Sequence, residues 1–171
     1  EGQFVDVRPH VPAKGPKDAD ESSDTFDTIE WLLRKLPSDN GKAGMWGISY
    51  PGFYAAMGAI DAHPALLAVS PQAPIADWFI GDDFHHNGAL YLAHALNYLY
   101  AMGQPRAEPG DAPPPRLRYP GPDGYTLFLG LGPLQRIGAR FINKDNKPWN
   151  DLMSHETYDA FWQERSIYPH L

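Results

Sequence analysis

Residues 42–60 constrain the fold more than any other stretch of the chain. Lys42-Ala43-Gly44-Met45-Trp46-Gly47-Ile48 is short, uncharged after Lys42 and bounded by turn residues, a pattern that suits a buried parallel strand. Ser49-Tyr50-Pro51-Gly52 follows at once, with Pro51 in a position favoured in the first turn of a helix. Residues 53–60 then supply Ala55, Ala56, Gly58 and Ala59, small enough for a helix to lie close against a sheet. Asp61-Ala62-His63-Pro64 ends that helix, and Leu66-Leu67-Ala68-Val69 reads as the next strand. Upstream, Phe26, Ile29, Leu32, Leu33 and Leu36 recur at helical spacing behind Ser23 or Asp24 as N-cap, with Pro37 and Gly41 as the stop. Helix, strand, tight turn, helix, strand is an α/β order: a partial parallel sheet with flanking helices.

The remaining segments are less regular. Phe4, Val5 and Val7 suggest the end of a strand, and residues 9–20 have the turn chemistry of a surface loop. From about Gly81 the character changes. Residues 89–102 form an apolar helical pattern relieved by His94 and Asn97, residues 104–122 are Pro-rich and expected to be extended, and helical patterns recur over 125–137 and 158–165. No convincing strand follows residue 71. We therefore expect an α/β core over 1–80 and a helical cap segment over 81–171. The first residue is Glu1 rather than Met, and the chain stops at Leu171 without a tail, so we expect an internal piece of a longer protein.

Composition excludes several function classes. A hydrophobic content of 43% with 13% aromatics is that of a chain with a packed core. The net charge of −7 argues against nucleic acid as a partner. No apolar run approaches the roughly 20 residues that span a bilayer, so no membrane partner is expected. Without cysteine there is no disulfide, no Cys-ligated zinc and no Cys nucleophile. Compartment and oligomeric state are not set by these residues.

The chemistry points to Ser49. A serine hydroxyl is a poor nucleophile at neutral pH, and hydrolases place it on a sharp strand-to-helix turn where a base can reach it. Such a turn needs small flanking residues; Gly47 and Gly52 provide them, although Pro51 stands where Gly-x-Ser-x-Gly would have its second glycine. Spacing alone leaves open an ordinary strand-to-helix turn. Gly47-Ile48-Ser49-Tyr50-Pro51-Gly52 resembles the Gly-x-Ser-Tyr-x-Gly elbow of the X-Pro dipeptidyl-peptidase and cocaine esterase family of α/β-hydrolases, which includes the α-amino acid ester hydrolases. The likeness extends to residues 24–32, the helix before the elbow, to Asp61-Ala62-His63-Pro64-Ala65-Leu66 after it, and to Gly81-Asp82-Asp83-Phe84-His85-His86-Asn87-Gly88 at the cap entrance.

The resemblance implies a serine esterase or acyl transferase acting on an ester, amide or peptide with a free α-amino group, with no cofactor. It implies Ser49 as nucleophile and the Tyr50 backbone N–H as an oxyanion donor, a second donor tyrosine ahead of Glu1, and the catalytic acid and histidine beyond Leu171. The isolated segment is then expected to be inactive, and an exported enzyme is favoured. An X-Pro dipeptidyl-peptidase, a general carboxylesterase and a non-catalytic binding or structural segment are the alternatives. Asp82-Asp83 followed by His85-His86 invites a metal reading, but adjacent residues rarely converge on one ion and no further ligand motif appears. By the resemblance, Asp83 belongs to a carboxylate cluster that holds the substrate ammonium, with Asp82 as the other candidate. His63, His85, His86, His94, His155 and His170 are assigned no catalytic role.

Overall fold

The computed structural model describes residues 7–12, 19–38, 40–103, 110, 112–121 and 123–171. They divide into two compact units: residues 7–82 with 159–171, and residues 83–158. The expected strand end at Phe4 and Val5 lies outside the described residues, as do parts of the 9–20 and 104–122 stretches.

The first unit opens with helix α1, Glu21–Lys35. Its N-cap is Asp20 rather than Ser23 or Asp24: the Asp20 carboxylate accepts the Ser23 N–H at 2.9 Å, and the Asp20 N–H donates to Ser23 Oγ at 2.9 Å. This reciprocal pair satisfies two backbone donors at the helix entrance, so the helix begins earlier than its apolar spacing indicates. Strands β1, Ala43–Ile48, and β2, Leu66–Gln72, pair in parallel, with Gly44 opposite Ala68 and Ile48 opposite Gln72. Helix α2, Tyr50–Met57, connects them and packs on both. A parallel pair requires such a crossover, and this one is a βαβ unit.

The packing follows from residue size. Phe53, Ala55, Ala56 and Met57 on α2 are buried with Ile29 of α1. A Cβ on Gly58 would lie 2.8 Å from Thr25 Cγ2 and 2.9 Å from Met45 Sδ, so the small residue at the end of α2 sets how closely α1 and β1 approach it. The sheet face carrying Trp46 and Ile48 is open, these two side chains being 69% and 54% exposed, and Leu67 of β2 is also 62% exposed. His63, in the turn after α2, accepts the Ala65 N–H at Nδ1 (3.0 Å). Its Nε2 therefore carries the proton and donates to Glu30 on α1 at 3.0 Å.

Residues 159–171, which the sequence division assigns to the second part, belong to this first unit. The helical pattern over 158–165 condenses to a short helix α7, Ala160–Gln163, capped by Asp159. Arg165 Nε donates to the Val7 carbonyl and the Ile167 N–H to the Ala76 carbonyl, each at 3.0 Å.

The second unit departs further from the expected pattern. A two-stranded hairpin, β3 His85–His86 and β4 Ala89–Leu90, corrects the expectation of no strand after residue 71. Its turn is Asn87-Gly88, both with positive φ (48° and 81°), the combination a two-residue hairpin loop favours. Helix α3, Leu92–Met102, therefore starts after the hairpin rather than at residue 89. The pattern over 125–137 is two helices, α4 Gly124–Leu131 and α5 Leu134–Phe141, separated by Gly132 at φ 74° and Pro133. Helix α6, Lys147–Ser154, is capped by Asn146 and carries Pro148 in its first turn. Asn146 is 1% exposed; its amide donates to the Leu99 carbonyl at 2.9 Å and accepts the Trp149 N–H at 3.0 Å, tying α3 to α6. The described residues of the Pro-rich stretch carry no helix or strand.

Candidate active site

The link between β1 and α2 is a single residue, Ser49, at φ 62° and ψ −122°. A side chain in this region of conformational space is strained by about 1–3 kcal/mol and persists only where neighbouring contacts fix it. Three contacts do so. The Ser49 N–H donates to the Gln72 carbonyl of β2 at 2.9 Å, and the Phe53 N–H donates to the Ser49 carbonyl at 3.0 Å. The flanking glycines supply the third: a Cβ on Gly47 would fall within the Pro51 carbonyl and lie 2.8 Å from Pro51 Cβ, and one on Gly52 would strike the Gln72 carbonyl oxygen. The turn is thus folded so tightly on itself and on β2 that neither glycine position has room for a side chain, and Ser49 remains exposed at its tip.

Tyr50 begins α2, where helix geometry provides the first N–H groups with no intrahelical acceptor. Its ring is half-buried and packs against Phe53 (5.9 Å), Tyr54 (5.0 Å) and Trp78 (5.6 Å). The side chain is thereby committed to packing, and the backbone is the part of Tyr50 that borders the turn. The Tyr54 hydroxyl is pushed above its ordinary pKa, first by burial and then by the charge of Glu21, with a hydrogen bond to Tyr50 acting the other way.

In the first unit the two histidines nearest in sequence to this machinery are engaged. His63 holds Glu30 and the Ala65 N–H as described, and His10 lies 3.0 Å from Asp20 and 3.2 Å from Asp61. Of the two adjacent acids at the cap entrance, Asp82 is 7% exposed, while the Asp83 side chain is 72% exposed. Asp83 lines a shallow depression of about 600 Å³ with His86, Tyr91 and His94, and its carboxylate lies 3.8 Å from His94 Nε2. His86 is exposed and its Nδ1 lies 3.0 Å from the Tyr91 hydroxyl, whereas His85 is buried. Among the described residues no three His, Asp or Glu side chains are placed to hold a metal ion. A larger pocket in the second unit, about 800 Å³, is walled by Leu134 of α5, Ile142 of the connection, and Trp149 and Leu152 of α6. Its recognition needs the α5–α6 packing, and no local motif announces it.

The sequence profile of the X-Pro dipeptidyl-peptidase (S15) family matches residues 2–171. The chain belongs to this family. Cocaine esterase from Rhodococcus sp. (strain MB1 Bresler) is 31% identical over 181 aligned positions, covering 100% of this chain and 29% of that protein. Two solved structures, an aminopeptidase from a marine sediment Thaumarchaeota archaeon and an α-amino acid ester hydrolase, each superpose with a TM-score of 0.79 at 33% identity. Each comparison covers 91% of this chain and 25% of the solved one, so the chain spans between a quarter and a third of the length of these relatives. Family and superposition agree with the βαβ unit in assigning the α/β-hydrolase type of fold.

Proposed function

We propose that this chain carries the nucleophile elbow of a serine hydrolase acting on α-amino acid esters or amides. The observation that supports the reading best is Ser49 itself: an exposed hydroxyl on a residue at φ 62°, gripped by Gly47, Gly52 and the Gln72 carbonyl. Strain of this kind, maintained at the tip of a strand-to-helix turn, serves to project a nucleophile.

In this reading Ser49 Oγ attacks the carbonyl carbon and its proton passes to a histidine base supplied by a part of the protein outside this chain. The Tyr50 N–H stabilises the negative charge on the former carbonyl oxygen. The base returns the proton to the departing alcohol or amine as the C–O or C–N bond breaks, leaving an acyl-serine. Water, or an acceptor amine, then resolves it by the same steps. Asp83, exposed in its shallow depression, would pair with the substrate ammonium, and the isolated segment, lacking a base, should be inactive. The name of the family and the aminopeptidase relative favour a second reading, a peptidase, which differs in the leaving group and keeps the same roles for Ser49 and Tyr50.

Labelling the full-length protein with an alkyl fluorophosphonate tests the reaction class. The expected result is one label, lost in Ser49→Ala; no such label means that the segment is a binding or structural element. Asp83→Ala tests the substrate class. It should reduce kcat/KM for an α-amino ester about 10-fold or more while leaving the matched ester without the amine within about 2-fold; equal losses on both would refute ammonium binding.

A further inference from the structure

We infer that Trp78 is a positioning residue for the Ser49–Tyr50 peptide, held in place by Asp77. The inference rests on the reading of the Tyr50 N–H as an oxyanion donor and identifies what keeps that N–H aimed.

The segment after β2 is far more constrained than a connection needs to be. Ala73 turns the chain at φ 44°. Asp77, 2% exposed, accepts the N–H groups of Phe79 and Ile80 on one carboxylate oxygen, both at 2.9 Å, and its carbonyl accepts the Gly81 N–H at 3.3 Å. From the returning C-terminal segment, the Ile167 N–H at 3.0 Å and the Ser166 hydroxyl at 3.4 Å both donate to the Ala76 carbonyl, and Trp162 packs against Phe79 at 5.6 Å. The outcome of this bracing is the placement of one side chain. Trp78 is 6% exposed, and its ring meets Tyr50 at 5.6 Å and Phe53 at 5.4 Å.

The position of Trp78 matters because of what else contacts the peptide. Phe53 and Tyr54, whose rings also meet Tyr50, lie on α2 itself, whereas Trp78 reaches Tyr50 from outside the helix. Trp78 comes from the far end of β2. The Ser49 N–H is bonded to Gln72, also at that end. Both sides of the Ser49–Tyr50 peptide, the amide of one residue and the ring of the next, are thus referenced to the same 72–78 segment. An oxyanion donor acts through preorganisation, so a small rotation of this peptide loses rate without weakening ground-state binding.

The test is steady-state kinetics on the full-length protein with Trp78→Leu, which keeps an apolar side chain but removes the ring, and Trp78→Phe, which keeps a ring. The expected result for Trp78→Leu is a fall in kcat of about 10- to 100-fold with KM within about 3-fold, and substantial recovery in Trp78→Phe. The rate of fluorophosphonate labelling at Ser49 should fall in parallel. Ile29→Val, a core change on α1, controls for stability and should leave kcat unchanged at a temperature where all variants are folded. A Trp78→Leu enzyme with unchanged kcat, or one whose KM alone rises, overturns the positioning role while leaving the hydrolase reading intact. Absence of Ser49 labelling in the wild type overturns both.

Discussion

Replacing Ser49 with glycine should make the protein more stable while abolishing the proposed chemistry. At φ 62° and ψ −122° the Ser49 Cβ sits in a region that costs a non-glycine residue about 1–3 kcal/mol. Glycine removes that term, but its greater freedom in the unfolded chain takes back about 0.4–1 kcal/mol. The side chain is exposed and its hydroxyl makes no hydrogen bond among the described residues, so little else is lost. The net gain should be about 1 kcal/mol. Ser49→Ala is the necessary partner: it lacks the hydroxyl yet retains Cβ, and should stay within about 0.5 kcal/mol of wild type. In urea unfolding of the full-length protein, the midpoint of Ser49→Gly should lie above that of Ser49→Ala, by the roughly 1 kcal/mol gain divided by the slope of the transition. A midpoint for Ser49→Gly at or below that of Ser49→Ala would show that the turn stores no strain and would refute the structural argument for Ser49.

The flanking glycines give a complementary result. Gly52→Ala places a methyl group against the Gln72 carbonyl oxygen and should lower stability by about 2 kcal/mol or more, whereas Gly44→Ala, whose Cβ would meet Ala68 O at 3.8 Å, should be tolerated; thermal melting distinguishes them. Glu21, in the first turn of α1, has its carboxyl pKa raised, chiefly by burial, and its Oε2 has no hydrogen-bond partner among the described residues. A raised acid favours folding below its unfolded pKa and opposes it once ionised. Glu21→Gln should therefore stabilise the protein on the order of 1 kcal/mol at pH 7 and by almost nothing near pH 4, and a gain equal at both pH values would contradict burial as the cause. Glu30 behaves oppositely, its carboxyl held below the ordinary value by the hydrogen bond from His63. Its contribution is present above the unfolded pKa and is lost as pH falls through the folded one, so Glu30→Gln should reduce stability at pH 7, by an amount that shrinks as the pH is lowered into the acid range.

Much of the first unit was legible because its signals are local. The strand, the crowded turn and the small-residue helix follow one another within residues 42–60, and each limits the next. The cap of α1 was also local but fell before the apolar pattern, where Asp20 and Ser23 outweigh Phe26 and Ile29 in fixing the start. In the second unit the hairpin escaped because two-residue strands are too short to show alternation, although Asn87-Gly88 is a strong turn signal in itself. Gly132-Pro133 and Asn146-Lys147-Pro148 likewise mark a break and a start that periodicity blurred. What no local pattern carries is the pairing of distant segments. The Ile167 N–H on Ala76, Arg165 on Val7 and Trp78 on Tyr50 depend on the whole unit being assembled.

That return of residues 159–171 has a consequence for the order in which the protein is made. Ala76 and Phe79 leave the ribosome long before the partners that hold them, and residues 83–158 must be synthesised in between. At about 5–20 residues per second this interval is roughly 4–15 s. During it the Tyr50, Phe53 and Trp78 cluster exists without its C-terminal brace. A chaperone that binds exposed aromatic segments would find its window there, and synonymous codon changes that slow translation through 83–158 would lengthen it.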